Sequence, residues 1–232
     1  MNSLKKSVLF FSLLLAQFSG CKTKYLEPDD LKIGYHYYPF QVGNYWTYSV
    51  DSIFYYSEHD SVVSEYQVKQ KVESFFVEGE NDTTFLLYRY RRNVQNEWQQ
   101  DSIWTARKRN NQLIITEKNI PYVKMVFPVE VGKSWDGNAF SGKENYSYSI
   151  SNLRSEFSSE ELEFSNCMEV VEKFDDQGEE EFIYEKEIYA PHVGLVYRYS
   201  SILPHEEGGS YKNSGGIVGL HYIQTLIEYG KE

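Results

Sequence analysis

The sequence predicts an all-β protein: an antiparallel, strongly curved sheet, as a half-barrel or a sandwich, with few or no helices. Three observations carry this. From Tyr35 onward apolar side chains recur every second residue, the period of a strand, and not every 3.6 residues. Clusters of Gly, Asn and Asp interrupt these runs at short intervals, as turns between hairpin strands do. The chain also holds 21 tyrosines and 14 phenylalanines, side chains that suit a pleated surface.

The N-terminus stands apart. Residues 1–6 are a basic head with Lys5 and Lys6, residues 8–15 read V-L-F-F-S-L-L-L, and Phe18-Ser19-Gly20-Cys21 closes the stretch. That order is a secretory signal, and the apolar run is too short to span a bilayer. Ending on a cysteine, it resembles a bacterial lipoprotein signal, with Phe18 where that family usually has leucine. The resemblance implies a signal peptide over 1–20, a lipid on Cys21 and cleavage before it. The plainer reading is an ordinary cleaved signal that happens to have Cys21 nearby. Residues 21–34, with Glu27-Pro28-Asp29-Asp30, read as a short polar tether. Residues 35–232 are expected to form a single β domain.

Within that domain the elements follow in order. Trp46, Tyr48, Val50, Phe54 and Tyr56 share one face of the first strand, and Thr47, Ser49 and Asp51 the other. Glu58-His59-Asp60 turns the chain. Tyr66, Val68, Val72 and Phe76 form the apolar face of the next strand, opposite Glu65, Gln67, Lys69 and Lys71, as in a sheet with one wet side. After the turn at Gly79-Glu80-Asn81-Asp82, Leu86, Tyr88 and Tyr90 are expected on one face, and then Trp98, Trp104 and Ala106 on another. Asn110-Asn111 signals a tight hairpin. Strands over 113–116 and 122–127 follow, then the turn at Asp136-Gly137-Asn138 and the alternation of Tyr146, Tyr148 and Ile150. Beyond the acidic loop at 156–163 come a strand over 164–174, a turn at Asp175-Asp176-Gln177-Gly178, and Phe182, Tyr184 and Ile188 on one face. Val193-Gly194-Leu195-Val196-Tyr197 is echoed by Val218-Gly219-Leu220-His221-Tyr222 across the polar loop at 205–214, and a last strand covers 223–229.

One stretch recurs. Pro39-Phe40-Gln41-Val42-Gly43-Asn44-Tyr45-Trp46 has the frame of Pro128-Val129-Glu130-Val131-Gly132-Lys133-Ser134-Trp135, the second copy starting 89 residues after the first, at 128 against 39. Pro39, Gly43 and Trp46 match Pro128, Gly132 and Trp135. Proline restricts the chain, glycine permits a turn and tryptophan plugs a sheet. The copies head either two pseudo-related halves, starting near 39 and 128, or two stretches of one curved sheet; the sequences between them diverge, so the domain is read as one.

Charge and motif content exclude several functions. The full chain has a net charge of −11; without Lys5 and Lys6, 21 basic residues face 34 acidic ones, a net of −13. Such a chain is repelled by phosphate backbones, so no nucleic-acid partner is expected. The membrane link falls to the lipid anchor. With Cys21 lipidated, Cys167 has no intrachain partner, and its strand-like setting reads as a small buried hydrophobe. The five histidines (His36, His59, His192, His205, His221) show no zinc-binding spacing. There is no nucleophile elbow, no phosphate-binding loop and no dinucleotide fingerprint. No catalytic residue, cofactor or metal is therefore assigned. Glu179-Glu180-Glu181 reads as a solvated hairpin end. Among 34 acidic residues a glycosidase pair cannot be chosen without geometry. Trp98 and Trp104 are expected in the core, with a glycan- or lipid-binding face as the alternative.

The P-x-x-x-G-x-x-W-x-Y opening at Pro39–Tyr48, the late Y-A-P-x-V-G-L-V-Y at 189–197 and the closing Leu226-Ile227-Glu228-Tyr229 resemble envelope lipoproteins of Bacteroidota without assigned function. That resemblance implies a β-rich, lipid-anchored protein of the cell envelope, at the outer membrane. Asp51-Ser52-Ile53, Asp60-Ser61-Val62, Asp82-Thr83-Thr84 and Asp101-Ser102-Ile103 resemble the sites at which Bacteroidota O-glycosylate exported proteins, and imply sugar on Ser52, Ser61, Thr83 and Ser102. The expected role is structural or binding and not enzymatic, with an envelope protein, glycan or lipid as partner. Two alternatives stand beside it: a carrier holding an apolar ligand in its curved sheet, and an enzyme on glycans or cell-wall polymers. A filled core, an empty apolar groove and a polar cleft with close carboxylates would separate the three.

Overall fold

A computed structural model describes residues 30–57, 60–79, 82–175, 181–204 and 219–232. The signal, Cys21, most of the tether, His59, His205, and the turns at 80–81, 176–180 and 205–218 lie outside those residues. The twelve strands are β1 (Asn44–Ser57), β2 (Asp60–Glu78), β3 (Asp82–Arg92), β4 (Trp98–Arg109), β5 (Gln112–Glu117), β6 (Ile120–Val126), β7 (Ser134–Asp136), β8 (Ser147–Ser158), β9 (Glu163–Asp175), β10 (Glu181–Ala190), β11 (Gly194–Pro204) and β12 (Gly219–Lys231). They form one sheet in the order β6-β5-β4-β3-β2-β1-β12-β11-β10-β9-β8-β7, each neighbouring pair antiparallel.

That order resolves into two six-stranded meanders, β1–β6 and β7–β12, whose first strands begin within the two copies of the repeated stretch. Their main seam is the ladder of β1 with β12, from Asn44 opposite Lys231 to Tyr55 opposite Gly219. The two outer edges also meet. Val123 N–H of β6 donates to the Gly137 carbonyl at 2.9 Å, and Trp135 Nε1 of β7 donates to the Val123 carbonyl at 2.7 Å. The curved sheet is thus nearly closed into a barrel, which leaves little unpaired strand edge to recruit another chain.

The N-terminal segment plugs one end. A single turn α1 (Asp30–Ile33) and a 3₁₀ turn (Tyr35–Tyr37) lie across it. Val129 N–H bonds the Ile33 carbonyl at 3.0 Å, His192 N–H the His36 carbonyl at 2.7 Å, and the Tyr37 hydroxyl the Asn166 carbonyl at 2.8 Å. Gly34 fits because it has no side chain: at φ 95° its Cβ would lie 2.4 Å from Val129 Cγ2. So Ile33 and Gly34, at the end of the expected tether, pack with the domain. His36, expected at an aromatic strand edge, sits instead in the 3₁₀ turn against Tyr37 and His192.

Behind the plug lies an aromatic core of Trp46, Tyr48, Val50, Val68, Val72, Leu87, Trp104, Ala106 and Leu226, with Phe40 edge-on to Trp46 at 5.6 Å between ring centres. Cys167 is buried in it, and burial pushes its thiol up to about 11, the behaviour of an inert hydrophobe. Trp104 is 9% exposed, with the Arg89 guanidinium 3.8 Å above its ring. Trp98 is half-buried under Arg92.

In β3 Leu87 and Arg89 are buried, while Leu86, Tyr88 and Tyr90, expected together on one face, are half-buried. The interior at this level is polar: Arg89 stacks on Trp104 and donates to Gln70 Oε1 at 3.0 Å. In β2, Phe76 departs from the expected apolar face: beyond the register shift between Val72 and Ser74 the strand has run past its ladder with β1, and Phe75 and Phe76 are 54% and 42% exposed.

Candidate functional site

The repeated stretch builds the same turn twice. Gly43 and Gly132 have φ of 90° and 84°, and their N–H groups bond the Val72 and Ile150 carbonyls of the next strand at 2.9 and 2.8 Å. Asn44 N–H bonds the Gln41 carbonyl at 3.0 Å, and Lys133 N–H the Glu130 carbonyl at 3.1 Å. The side chains of Asn44 and Lys133 each reach back to the carbonyl of Pro39 and Pro128 at 2.7 Å. Trp46 Nε1 donates to the Val193 carbonyl at 2.6 Å, and Trp135 Nε1 to that of Val123 at 2.7 Å. Pro39, Gly43, Trp46, Pro128, Gly132 and Trp135 are not among the residues lining the cleft described below.

The expected glycosylation positions are scattered over β1–β4. Ser61 is exposed, Thr83 and Ser102 are half-buried, and the Ser102 hydroxyl donates to Asp101 Oδ2. Ser52 is 1% exposed and its hydroxyl bonds the Ser64 carbonyl at 3.3 Å. The folded barrel has no room for a sugar there, so Ser52 drops from the set.

At the other end of the barrel the interior turns polar. A charged network crosses it from five strands: Glu117 on β5, Lys124 on β6, Glu172 on β9, Glu187 on β10 and Arg198 on β11. Lys124 Nζ lies 2.9 Å from Glu172, 3.3 Å from Glu187 and 3.5 Å from the Tyr148 hydroxyl. Arg198 Nε donates to Glu187 at 2.6 Å and its Nη2 to Glu117 at 3.2 Å. The Tyr189 hydroxyl donates to the second Glu187 oxygen. Glu117 and Lys124 belong to the first meander, and the other three charges to the second. The network therefore ties the halves together beside their incomplete seam.

Burial and charge pull these groups apart in acidity. Burial pushes the Glu172 carboxyl up and the Glu187 charge adds to it; Lys124 and Arg198 offset only part, leaving it at about 7. Burial acts on Glu187 too, but Arg198 and Lys124 overcome it and hold that carboxyl well below the ordinary range. Glu117 is likewise buried and lowered by Arg198 and Lys124. Burial disfavours the charges on Lys124 and Arg198, yet the carboxylates keep both firmly protonated. Glu172 and Glu187 share a hydrogen bond.

Above the network opens a cleft of about 430 Å³. Glu117, Lys124, Glu172 and Arg198 form its floor; Tyr122, Asn138, Lys143, Tyr146, Tyr148 and Glu185 are among its walls. The β7–β8 connection is fixed as a wall by its own bonds: Asp136 Oδ1 accepts from Asn138 and Tyr146 N–H, and Asn138 Nδ2 donates to the Glu144 carbonyl at 2.7 Å. Tyr148 packs directly on Gly137, where a Cβ would overlap its ring. In the aromatic half, a cavity of about 40 Å³ lies between the plug and Arg89, Trp104 and Gln224. It has room for a few waters and not for an acyl chain. The Tyr38 hydroxyl and Trp104 Nε1, two of its lining groups, have no protein partner.

Sequence reasoning did not find the charged network. Its signal was present as charges in phase with buried apolar positions: Glu172 two residues from Val170, and Arg198 two from Val196. Among the described residues no group of three or more His, Cys, Asp and Glu could hold a metal ion.

No family model matches the chain, and no curated protein does. Solved structures similar to it include a candidate exported protein with a YmcC-like fold from Bacteroides fragilis, at 11% identity over 83% of this chain and 98% of that one, with a TM-score of 0.44. A candidate lipoprotein from Parabacteroides distasonis matches at 11% identity over 84% and 98%, with a TM-score of 0.38.

Proposed function

We propose that this is a lipid-anchored, non-catalytic binding protein of the cell envelope, which takes a small polar ligand into the open end of its barrel. The observation that carries this is the division of the interior. One end is filled by the N-terminal plug and an aromatic core, and the other holds a polar cleft of about 430 Å³, within the ~300–1,000 Å³ of small-molecule sites. The tether enters at the plugged end, so a lipid on Cys21 would hold that end toward the membrane and turn the cleft away from it. The outer membrane is the expected address.

The two alternatives fit less well. A carrier of an apolar ligand needs an empty apolar groove, but the aromatic half is packed to a cavity of about 40 Å³. A glycosidase holds its two carboxyl groups ~5–9.5 Å apart. Glu172 and Glu187 share a hydrogen bond and are held behind Lys124, which leaves no space between them for a scissile bond.

Native mass spectrometry of the full chain from its host tests the reading. A non-covalent small-molecule adduct is expected that disappears in Ile202→Trp, which fills the cleft; no adduct on the wild-type protein would sink it. Denaturing spectra of the same samples report covalent sugar at Ser61, Thr83 and Ser102. Cys21→Ser is expected to release the protein from the membrane fraction, and retention there would contradict lipidation.

A further inference from the structure

The cleft also carries information about what it binds, on the reading that it is a binding site. Its charges are already spent. Lys124 is surrounded by Glu172, Glu187 and the Tyr148 hydroxyl, and Arg198 by Glu187 and Glu117. An anionic ligand would have to compete with these carboxylates for both cations, and a cationic ligand with these cations for the carboxylates. On the walls Lys143 and Glu185 carry opposite charges. An incoming ion of either sign would meet as much repulsion as attraction, in addition to its desolvation cost.

The walls also carry neutral hydrogen-bonding groups and ring surface. Asn138 is 9% exposed; its Nδ2 is used on the Glu144 carbonyl, and its Oδ1 has no partner. That bond fixes the amide orientation, so a buried acceptor is left for a ligand donor. A buried polar atom without a partner is destabilising, a deficit that a ligand hydroxyl would remove. The Tyr122 hydroxyl accepts from Lys143 at 3.3 Å and keeps its own proton to donate. Tyr146 stands edge-on to Tyr148 at 5.7 Å, so together they offer a ring face and a ring edge in one wall. Paired donors and acceptors beside an aromatic surface suit a molecule with many hydroxyls and one apolar face.

We propose that the cleft binds a neutral saccharide of one or two rings, a sugar ring lying against Tyr146 and one hydroxyl donating to Asn138 Oδ1. The volume of about 430 Å³ admits a ligand of that size and excludes a long polymer from the cleft itself.

The test is calorimetric titration of the full-length Cys21→Ser chain with glucose, N-acetylglucosamine, maltose and cellobiose. Glucosamine and glucose 6-phosphate serve as charged counterparts, and the cleft-filled Ile202→Trp chain as the control. At least one neutral sugar is expected to bind, at least tenfold more tightly than either charged counterpart. Asn138→Ala should weaken it at least tenfold at an unchanged far-ultraviolet circular dichroism spectrum. If Asn138→Ala fails to fold, Tyr122→Phe, which keeps the ring and removes the donor, should weaken it severalfold. A charged sugar binding more tightly than every neutral one would overturn the ligand class and leave the binding cleft standing. A neutral sugar indifferent to both substitutions but excluded by Ile202→Trp would overturn the assigned contacts to Asn138 and Tyr122 and leave the ligand class standing. No binding by any of the six overturns the saccharide; the native adduct then reports separately on the binding cleft.

Discussion

Trp46 and Trp135 make the same bond at the heads of the two meanders, each indole N–H donating to a backbone carbonyl: Trp46 to Val193 at 2.6 Å, Trp135 to Val123 at 2.7 Å. The bonds differ in what they join. Trp46 fastens β1 to the β10–β11 turn inside the aromatic core. Trp135 fastens β7 to β6, where the backbone bond from Val123 N–H to the Gly137 carbonyl bridges the seam. Trp46→Ala should therefore cost ~3–5 kcal/mol of global stability, the scale of a truncated core tryptophan. Trp135→Phe should instead act locally, speeding exchange of the Val123 amide more than that of Gly43. Native-state hydrogen exchange measures both, and equal acceleration at the two amides would contradict the seam.

The two turn glycines should not be equally replaceable. Both have positive φ, which costs a residue with a Cβ ~1–2 kcal/mol. A Cβ on Gly132 meets nothing within 4 Å, whereas on Gly43 it would lie 2.4 Å from the Glu232 carbonyl oxygen. Gly132→Ala should lose only the strain cost in urea denaturation. Gly43→Ala should lose more and loosen the bond from Glu232 N–H to the Gly43 carbonyl. Equal losses would mean the C-terminal strand end yields freely.

Lys124 holds two buried carboxyl groups, Glu187 being 0% exposed. Lys124→Met should cost ~3–5 kcal/mol, because it strands a buried carboxylate. Adding Glu172→Gln should recover little and adding Glu187→Gln more, since Glu187 carries the firmly ionised charge. A double-mutant series by thermal unfolding checks the order.

Stability should depend on pH through Glu172. Its folded pKa is raised to about 7 from an ordinary 4.5, so between those values the folded state binds the extra proton. The stabilisation is complete below pH 4.5 and is lost as pH rises through about 7; a shift of this size corresponds to about 3 kcal/mol. Glu187 and Glu117 act oppositely: their lowered values give stability that is present above pH 4.5 and lost on further acidification. Glu172→Gln should flatten the decline between pH 4.5 and 7 and leave the acid limb. A wild-type profile that rises through neutrality would contradict the proton shared with Glu187.

Much of the fold was legible from local chemistry. Asn110 and Asn111 signalled their hairpin because asparagine tolerates the positive φ found there, 49° and 59°. Pro39, Gly43 and Trp46, with their partners at 128, 132 and 135, announced two equivalent turns because the device repeats within eight residues. In β3 the alternation of Leu86, Tyr88 and Tyr90 does not reveal that the opposite set, Leu87 and Arg89, is the buried one, because which face turns inward depends on neighbouring strands. Phe76 is exposed because β2 runs past the end of its ladder with β1, and nothing in the sequence marks where that ladder stops.

By itself, then, the sequence determined the all-β class, the strand order along the chain, the two turns and the basic-apolar-cysteine order of its N-terminus. Each of these depends on residues a few positions apart. The tertiary structure alone decided that the second edges meet at Val123 and Gly137, that the N-terminal segment plugs one end, and that Lys124 lies between Glu172 and Glu187. Lys124 stands 48 and 63 residues from those partners. Their meeting depends on the accumulated twist and register of the intervening strands, which local periodicity does not encode.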